Sequence, residues 1–338
     1  MGWDVCLYEQ FAEPAPVGAG LMLQPTGLVA LERLGLLQDV ELLGHPITRL
    51  VGLSGTATVF DLRYDSLAGN YNALGIHRGA LHGILWRSFH RSSAKSVTGC
   101  TIDRVKVCSD GRAHFQSEQG ETLAGADLLF DASGSSSKLR RLVSRVNAKP
   151  YTYGAVWATV PDIGIGPNTL AQRYADARVM LGYLPIGKLT RDGENLAALF
   201  WSLKPTDYDA WLAGFEQWRR EAIDLWSAMA PIINMLQSPN DLSLASYAQF
   251  TPRYLARDRL VLIGDAAHST SPQLGQGANQ GLIDAVVLVD ALAAQPPSQA
   301  VRSYARARKS QVRFYQYASA TMTLFFSRIH VSCQRCVT

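Results

Sequence analysis

The stretch DRLVLIGDAAHSTSPQLGQGANQGLIDAVVLVDALA, residues 258–293, decides the fold of this chain. Residues 260–263 predict a short buried strand, and the segment after them, rich in Gly, Ser, Pro and Gln, predicts a tight loop. Leu282, Val286 and Val289 then recur at helical spacing. A strand, a tight loop and a helix start are the parts of a ligand-binding cradle. The stretch therefore predicts an α/β domain with a ligand at this loop.

The residue types of the loop indicate what it could bind. Gly264 lets the backbone turn off the strand, and Asp265 offers a short acceptor for a sugar hydroxyl. Gly275, Gly277 and Gly281 allow a ligand to approach the backbone closely. The alternative is a glycine-rich turn that only joins strand to helix, since one such loop is weak evidence by itself.

The helix after the loop begins with backbone N–H groups that lack intrahelical acceptors. Gln276, Ala278 and Asn279 place amide donors where a helix carries partial positive charge, which favours an anion or an electron-rich carbonyl edge. These positions predict a large planar cofactor with a polar edge.

The run GDAAHSTSPQLGQGANQGLIDA, residues 264–285, resembles the second FAD-binding motif of single-component flavoprotein monooxygenases. These belong to the para-hydroxybenzoate hydroxylase family, which includes the ubiquinone-biosynthesis hydroxylases. The resemblance implies that Asp265 holds the ribityl chain of FAD or the adjoining phosphates, and that Pro272 lies beside the isoalloxazine ring. The backbone amides that would face N1 and O2 of the flavin are those around Gly277, Ala278 and Asn279.

The N-terminal segment resembles the family only from the end of its first helix onward. DVCLYEQ, residues 4–10, predicts a strand that ends in an acidic residue, and Glu9 fills the position that binds the adenosine ribose in a Rossmann unit. A GxGxxG turn normally lies about 20 residues before that position, yet only eight residues precede Glu9. We expect either a start site further upstream, which we favour, or a truncated chain with impaired cofactor binding.

Two further segments carry residues that the family places near FAD. VGAGLMLQPTGLVALERLGL, residues 17–36, joins a glycine loop to a helix, and the resemblance implies that Gly18 gives room for the flavin ring. A plain loop is the alternative. A second helix is predicted over residues 77–89, and Arg78 in its first turn is poorly placed for the helix dipole. The resemblance implies that Arg78 lies against FAD, and an ordinary surface arginine is the alternative.

The segment ADLLFDASGSSSKLRRLV, residues 126–143, predicts a strand, a small-residue turn and a helix. It resembles the family's Asp-Gly motif, which touches the FAD pyrophosphate and the path of NAD(P)H, but Ser133 occupies the usual aspartate position. This difference weakens the case for NAD(P)H more than the case for FAD. Related flavin halogenases and reductases carry the same DASG variant, so these classes stay open.

The resemblance and the residue pattern together give the fold class. We expect an α/β chain with a Rossmann-like FAD-binding domain that lacks its first βα unit, an inserted mixed or antiparallel sheet that forms an aromatic-rich substrate domain, and a C-terminal helix. The C-terminal helix has a basic face with Arg306, Arg308, Lys309 and Arg313. The assignment is residues 1–45, 76–150 and 245–300 for the FAD-binding domain, 46–75 and 151–244 for the substrate domain, and 301–338 for the C-terminal helical segment.

Composition limits the classes of partner and compartment. The chain has 338 residues, 47% of them hydrophobic, and a net charge of +4, so we expect a globular protein without a nucleic-acid partner. Five cysteines are an odd number, and no signal sequence precedes them, which indicates reduced thiols in the cytoplasm. Cys333 and Cys336 form a CxxC pair without a second pair or a histidine cluster, so no metal is expected. The apolar run at residues 314–327 is too short to span a bilayer, although it allows a peripheral membrane contact.

The function implied by the resemblance is that of an FAD-dependent monooxygenase. Such an enzyme takes hydride from NADH or NADPH, forms a flavin C4a-hydroperoxide with O2, and hydroxylates an aromatic or polyprenylated aromatic small molecule. This chemistry belongs to the cofactor and demands no particular side-chain acid or base, so we predict no catalytic residue and no oligomeric state. The alternatives are a flavin-dependent dehydrogenase or reductase without oxygenation, and a truncated, non-catalytic protein with an FAD-binding fold.

Overall fold

The computed structural model describes residues 2–15, 18–66, 72–107, 112–175 and 179–328. The chain divides into two compact units, each with strands and helices. The first unit is built from Met1–Pro16, Ile84–Lys149 and Ala248–Ser319, and the second from Val17–Gly83, Pro150–Tyr247 and Ala320–Thr338.

The described strands are β1 (Cys6–Tyr8), β2 (Gly20–Leu23), β3 (His45–Ile47), β4 (Arg49–Ser54), β5 (Ala57–Arg63), β6 (Ala73–His77), β7 (Lys95–Val97), β8 (Ile102–Val107), β9 (Ala113–Ser117), β10 (Thr122–Ala126), β11 (Leu129–Asp131), β12 (Lys149–Pro150), β13 (Gly154–Pro161), β14 (Thr169–Ala175), β15 (Val179–Gly187), β16 (Leu196–Leu203), β17 (Ser243–Ala245), β18 (Ala248–Gln249), β19 (Ala256–Arg257) and β20 (Leu260–Leu262). The described α-helices are α1 (Pro25–Arg33), α2 (Leu37–Leu43), α3 (Arg78–His90), α4 (Arg140–Val143), α5 (Tyr208–Ala213), α6 (Phe215–Leu225), α7 (Ala230–Met235), α8 (Asp265–His268), α9 (Gly277–Ala294) and α10 (Pro297–Arg328).

The first unit contains short parallel strand pairs, as a Rossmann-like domain requires. β20 pairs in parallel with β11 and antiparallel with β19. All three residues of β20 are buried, because they form the centre of a core with Leu139, Phe250, Leu288 and Tyr304. Parallel neighbours need a crossover connection, and the long excursion between β11 and β20 provides it. The α/β fold class is therefore confirmed, and the buried strand predicted at residues 260–263 is present as β20, which ends one residue earlier, at Leu262.

The N-terminal strand belongs to a separate parallel pair. β1 is shorter than the predicted strand at residues 4–10, and it pairs with β7. Within the residues that the structure describes, no ladder joins this pair to the sheet of β11, β20 and β19. Both sheets carry exposed apolar side chains, such as Leu7 on β1 and Phe130 on β11. The parallel sheet of this unit is thus divided into two short pieces.

The second unit is built on a seven-stranded sheet with the order β17, β13, β16, β15, β14, β4 and β5. Its neighbours are antiparallel except β14 and β4, which run parallel, so the predicted mixed sheet is confirmed. The tryptophans of this unit mostly form core: Trp201 lies on β16, and it packs with Trp211 and Trp218 from α5 and α6. Burial of these rings supplies much of the apolar area that holds the helices on the sheet.

A smaller sheet of β2, β6 and β3 packs against β15 in the same unit. β2 and β3 both pair with β6, and this pairing holds residues 18–23 and 45–47 in the second unit. The sequence assigned residues 17–45 and 76–83 to the FAD-binding domain, whereas their contacts place them with the second unit. The sheet pairing, which no local sequence pattern reveals, accounts for the difference.

Helix α9 is confirmed, but its buried side is unlike the predicted apolar stripe. Val289 is 43% exposed, and the buried positions include Gln280, Asp284 and Leu288. By length and composition alone, α9 is the one helix in the described part of the chain that could cross a membrane, and 22% of it is buried. A single such helix is weak evidence for a membrane span, because core helices pass the same test. Its fully buried Asp284 pairs instead with protein groups of the first unit.

The contact between β6 and β15 yields a test of this packing. A Cβ atom at Gly75 would overlap the carbonyl oxygen of Pro185. We expect Gly75→Ala to lower the free energy of unfolding by about 2 kcal/mol, because the two sheets must move apart. Urea denaturation measures this loss. As a matched control, Gly214→Ala places its Cβ 3.3 Å from the Ala210 oxygen and should cost less; equal effects of the two substitutions would contradict the packing.

Candidate functional site

The predicted strand, loop and helix start are present in the first unit. β20 ends at Leu262, and Gly264 then turns the chain with φ of 58° and ψ of −143°. This is a conformation that a residue with a Cβ adopts only under strain. A short 3-10 turn at Pro272–Leu274 follows, and Gly275 closes it in the left-handed conformation with φ of 58° and ψ of 29°. Helix α9 begins two residues later, as the sequence predicts.

The loop folds back beside the first turns of α9. A Cβ on Gly277 would lie 3.7 Å from the Oδ1 atom of Asp265, and a Cβ on Gly281 would lie 3.6 Å from the Cα atom of Gly264. Asp265 itself is exposed. The glycines therefore place an accessible carboxylate next to the helix N-terminus.

The N-terminus of α9 offers backbone donors. No side chain caps the helix, and the first N–H with an intrahelical acceptor is that of Gln280, which donates to the Gln276 oxygen at 2.9 Å. Helix geometry leaves the N–H groups of Gly277, Ala278 and Asn279 without an intrahelical acceptor. These amides and the helix dipole favour a negatively polarised group.

The predicted residues of the loop differ in what their side chains do. Pro272 and Ala278 are exposed. Asn279 is fully buried, and its Nδ2 donates to the Gly275 oxygen at 2.8 Å. The Asn279 side chain therefore holds the turn at Gly275.

A buried charge network lies behind the loop. Asp284 of α9 is 0% exposed, and its Oδ2 accepts from the backbone N–H of Gly264 at 2.8 Å and contacts Nε2 of His268 at 2.6 Å. Its Oδ1 accepts from Nε of Arg308 at 2.6 Å. Arg308 lies on α10 and is 1% exposed, and it also donates to Oε1 of Gln280 at 2.7 Å. One carboxylate thus connects the glycine turn, α8, α9 and α10.

The electrostatics keep Asp284 ionised. Burial alone raises the pKa of this carboxyl, but the hydrogen bond and charge of His268 and the charge of Arg308 outweigh burial and hold the pKa below its usual range. A buried carboxylate needs such partners, since an unpaired buried charge is very costly. Nearby, the Tyr304 hydroxyl donates to the Leu262 oxygen at 2.9 Å, which ties α10 to the end of β20.

Sequence reasoning missed this network. Arg308 was placed on an exposed basic face of the C-terminal helix, but it is buried against Asp284. The sequence does contain one signal, an aspartate in the middle of the otherwise apolar segment 282–289. Such a residue needs a buried partner, but nothing in the local pattern identifies which of the many arginines supplies it.

The segment after β11 forms a self-contained turn. Asp131 is buried at the strand end, and its Oδ1 accepts from the backbone N–H of Ser133 at 3.0 Å and from the Ser133 hydroxyl at 2.5 Å. Its Oδ2 accepts from the Ser137 hydroxyl at 2.5 Å. Ser133, which stands at the family's aspartate position, therefore turns back onto the strand end and stabilises the turn.

Glu9 lies directly after β1, at the strand end where the sequence placed it. Its Oε1 accepts from the backbone N–H of Phe11 at 3.0 Å, and its own N–H donates to the Val97 oxygen at 2.9 Å. The carboxylate therefore orders the loop that follows.

In the second unit, the structure brings Gly18 and Arg78 together. Gly18 has φ of 93°, and a Cβ there would lie 3.6 Å from the guanidinium carbon of Arg78. The backbone N–H of Arg78 donates to the Ala19 oxygen at 3.1 Å. The glycine loop thus lies directly on the arginine at the first turn of α3.

An aromatic group with one polar tip lies in the same unit. The Trp157 ring stacks on Phe200 with centroids 4.6 Å apart, and its Nε1 donates to the Tyr247 hydroxyl at 3.1 Å. Burial raises the pKa of Tyr247, while Trp157 and the charge of Arg78 act in the opposite direction. Tyr247 therefore keeps its proton at neutral pH. The sequence indicated aromatic crowding here but not which rings meet.

Cysteines, histidines and carboxylates are the candidate residues for a metal site or a disulfide. Within them, no group of three His, Cys, Asp or Glu residues is arranged to hold a metal ion. Cys6 and Cys100 are free thiols. Cys108, Cys333 and Cys336, and with them the CxxC pair, lie outside the described residues.

Comparisons with known proteins agree with this geometry. Residues 189–313 match the family described as FAD binding domain. The chain is 30% identical over 322 residues to 3-amino-4-hydroxybenzoate 2-monooxygenase of Streptomyces cremeus, a match that covers 90% of this chain and 76% of that enzyme.

Solved structures share the fold. PqsL of Pseudomonas aeruginosa, determined in complex with 2-aminobenzoylacetate, superposes with a TM-score of 0.84 at 19% identity over 97% of this chain and 91% of PqsL. HpxO of Klebsiella pneumoniae, determined with FAD and uric acid, gives a TM-score of 0.79 at 20% identity over 95% of this chain and 82% of HpxO. At these identities the likeness concerns the fold.

The buried network predicts a large effect of neutralising its carboxylate. We expect Asp284→Asn to lower the free energy of unfolding by about 3 kcal/mol or more, because Arg308 then lacks its buried counter-charge. Chemical denaturation measures the change. Asp224→Asn, at an exposed position on helix α6, is the control and should change stability by less than about 0.5 kcal/mol. In the double variant with Arg308→Met, the losses should be less than additive; additive losses would contradict the pairing.

The pH dependence of stability follows from the same carboxyl. Its pKa in the folded chain lies below the ordinary value of 3.8, so its contribution to stability is complete above that value and is lost as the pH falls further. We expect the stability difference between the wild type and Asp284→Asn to be constant from about pH 7 to about pH 5 and to shrink at lower pH. Denaturation curves across this range measure it. A difference that grows on acidification would show that the pKa is raised instead.

Proposed function

Because the chain belongs to the family of FAD-dependent aromatic monooxygenases, we propose that it hydroxylates a small substituted aromatic molecule with NAD(P)H and O2. The relative from Streptomyces cremeus is named for 3-amino-4-hydroxybenzoate, and it covers most of the present chain. This similarity favours a small aromatic acid or heteroaromatic compound over a polyprenylated one.

The residues of the first unit fit FAD. The left-handed glycines, the uncapped amides of α9 and the exposed carboxylate of Asp265 form a cradle in which backbone groups, rather than side chains, face the ligand. Bound FAD would supply the redox and oxygen-activating chemistry. The chain's own residues would bind FAD, orient it and polarise the edge of its ring.

Each part of the cradle has a role in this proposal. The N–H groups of Gly277 and Ala278 would stabilise negative charge on the electron-rich edge of the flavin ring, aided by the helix dipole, and Asn279 would hold the turn beside them. Asp265 would accept hydrogen bonds from hydroxyl groups of the cofactor, and Gly264 would keep the backbone close to it. Further contacts stay predictions. Pro272 would lie beside the isoalloxazine ring, and Gly275 would let the cofactor approach the backbone closely. Glu9 would bind the adenosine ribose, and Gly18 and Arg78 would lie against FAD.

The second unit offers a recognition group for an aromatic substrate. Trp157 is half-buried and stacks on Phe200, which suits contact with another planar ring. Tyr247 accepts a hydrogen bond from Trp157, so its own proton is available to a substrate carboxylate or phenolate. We assign Tyr247 the role of orienting the substrate. No acid or base is assigned for the chemical step.

The observation that carries the proposal is the set of uncapped amides beside Asp265, held in place through Gly264 by Asp284. The test is to purify the full chain, record its flavin absorbance, and add NADH or NADPH, O2 and a panel of aminohydroxybenzoates and hydroxypyridine carboxylates. Substrate-dependent O2 uptake with a product heavier by one oxygen atom supports the proposal. Oxidation of NAD(P)H without an oxygenated product would indicate a reductase instead, and a chain that binds no FAD would indicate a non-catalytic protein.

Asp265→Ala tests the cradle directly. Loss of a charged acceptor should weaken FAD binding by about tenfold or more, since hydrogen bonds to charged groups contribute about 1.5–3 kcal/mol. Quenching of flavin fluorescence during titration measures the affinity. Asp258→Ala, an exposed aspartate just before β20, is the matched control and should bind FAD like the wild type. If Asp265→Ala binds FAD as tightly as the control does, Asp265 does not contribute to FAD binding.

A further inference from the structure

Helix α10 carries an unusual excess of positive charge. Its 32 residues, Pro297–Arg328, contain six basic residues and neither Asp nor Glu. Arg308 is used by the buried network, but Arg302, Arg306, Lys309 and Arg313 follow one another at spacings of four, three and four residues. Residues at these spacings share one face of a helix. They form a basic stripe that the proposed monooxygenase activity does not use.

A cavity of about 260 Å³ lies along this stripe in the first unit. One wall is the α10 face with Arg306, Lys309 and Arg313, and the other is the segment 251–256, which adds Arg253 as a fourth cation. Among the described residues that line the cavity there is neither Asp nor Glu. Its lining shares no residue with the loop at 264–281, so it is separate from the proposed FAD cradle.

A buried polar group completes the cavity. Gln316 lines it and is 2% exposed, and its Nε2 donates to the Phe250 oxygen. Its Oε1 is buried and has no hydrogen-bond partner among the described residues. A buried acceptor without a hydrogen bond is unfavourable, so a ligand that donates to it would be bound more tightly.

The four cations need a counter-charge. Within the part of the chain that the structure describes, none of Arg253, Arg306, Lys309 and Arg313 forms an ion pair with a carboxylate. Like charges around one cavity repel each other, and a doubly charged anion relieves that repulsion while using the forked donors of arginine. The cavity therefore combines cations that suit a phosphate with an acceptor that suits a hydroxyl.

We propose that this cavity binds a phosphomonoester that carries hydroxyl groups. The phosphate contacts Arg306, Lys309 and Arg313, and a neighbouring hydroxyl donates to Oε1 of Gln316. The volume suits a fragment of the size of a sugar phosphate rather than a drug-sized ligand. A soluble sugar phosphate and a phosphoinositide head group share this chemistry.

The binding test uses the full chain as purified and needs no activity, so its outcome is independent of the proposed monooxygenase function. Calorimetry with ribose 5-phosphate forms one arm, with ribose as the uncharged comparison. Co-sedimentation with phosphatidylcholine vesicles that contain phosphatidylinositol 4-phosphate forms the second arm, with pure phosphatidylcholine as the comparison. Saturable binding in the first arm identifies a soluble ligand, binding in the second arm alone identifies a lipid head group, and either supports the site. Absence of binding in both arms overturns it.

Variants locate the binding. Arg306→Ala with Arg313→Ala should weaken binding by at least about tenfold, because two charged contacts are lost. Arg302→Ala removes an exposed cation of the same stripe that does not line the cavity, and it should bind within about twofold of the wild type. Lys309→Glu is a second variant at an exposed position that leaves the fold intact and should also abolish binding. If Arg302→Ala weakens binding as much as the double variant, the effect is general surface charge and the site is refuted.

Discussion

The buried carboxylate of Asp284 is the constraint on which the cofactor loop depends. It accepts from the N–H of Gly264, contacts His268 and pairs with Arg308, so that a turn, a short helix and two long helices meet at one group. Buried charge pairs add little net stability compared with apolar packing, but they strongly penalise any arrangement that leaves one partner alone. Such a network therefore specifies one position of the loop, and an FAD cradle made of backbone groups requires a fixed position.

The network also explains why the loop can present its backbone to a ligand. Gly264 and Gly275, both with positive φ, lose more conformational freedom on folding than other residues do. The first amides of a helix are normally capped by a side chain, and α9 has no such cap. The Asp284 carboxylate accepts from the N–H of Gly264, and the buried Asn279 side chain donates to the oxygen of Gly275, so buried side chains hold both glycines in place. The other side of the loop presents N–H groups and the exposed carboxylate of Asp265, and under our proposal these groups face the flavin.

The sequence predicted local features well and long-range partners poorly. The strand at 260–263, the loop glycines and the start of α9 are encoded within a few residues, and Glu9 and Arg78 lie at the ends of the elements where they were expected. The placement of residues 17–45 with the second unit, and the pairing of Asp284 with Arg308, depend on residues far apart in the chain. Periodicity describes which side of a helix is apolar, but it does not reveal that a buried side contains a charge with a distant partner.

The central claim is that Asp284 positions the loop for FAD rather than only stabilising the fold. The most direct measurement is the FAD dissociation constant of Asp284→Asn beside that of the exposed control Asp224→Asn. Both are measured without denaturant, at a temperature where circular dichroism shows that the two variants are fully folded. The account predicts that FAD binds to the folded Asp284→Asn chain at least about tenfold more weakly than to the Asp224→Asn chain. An amide has one acceptor oxygen where the carboxylate has two, so it cannot accept from both Gly264 and Arg308 as the carboxylate does. Equal dissociation constants for the two folded variants would contradict it.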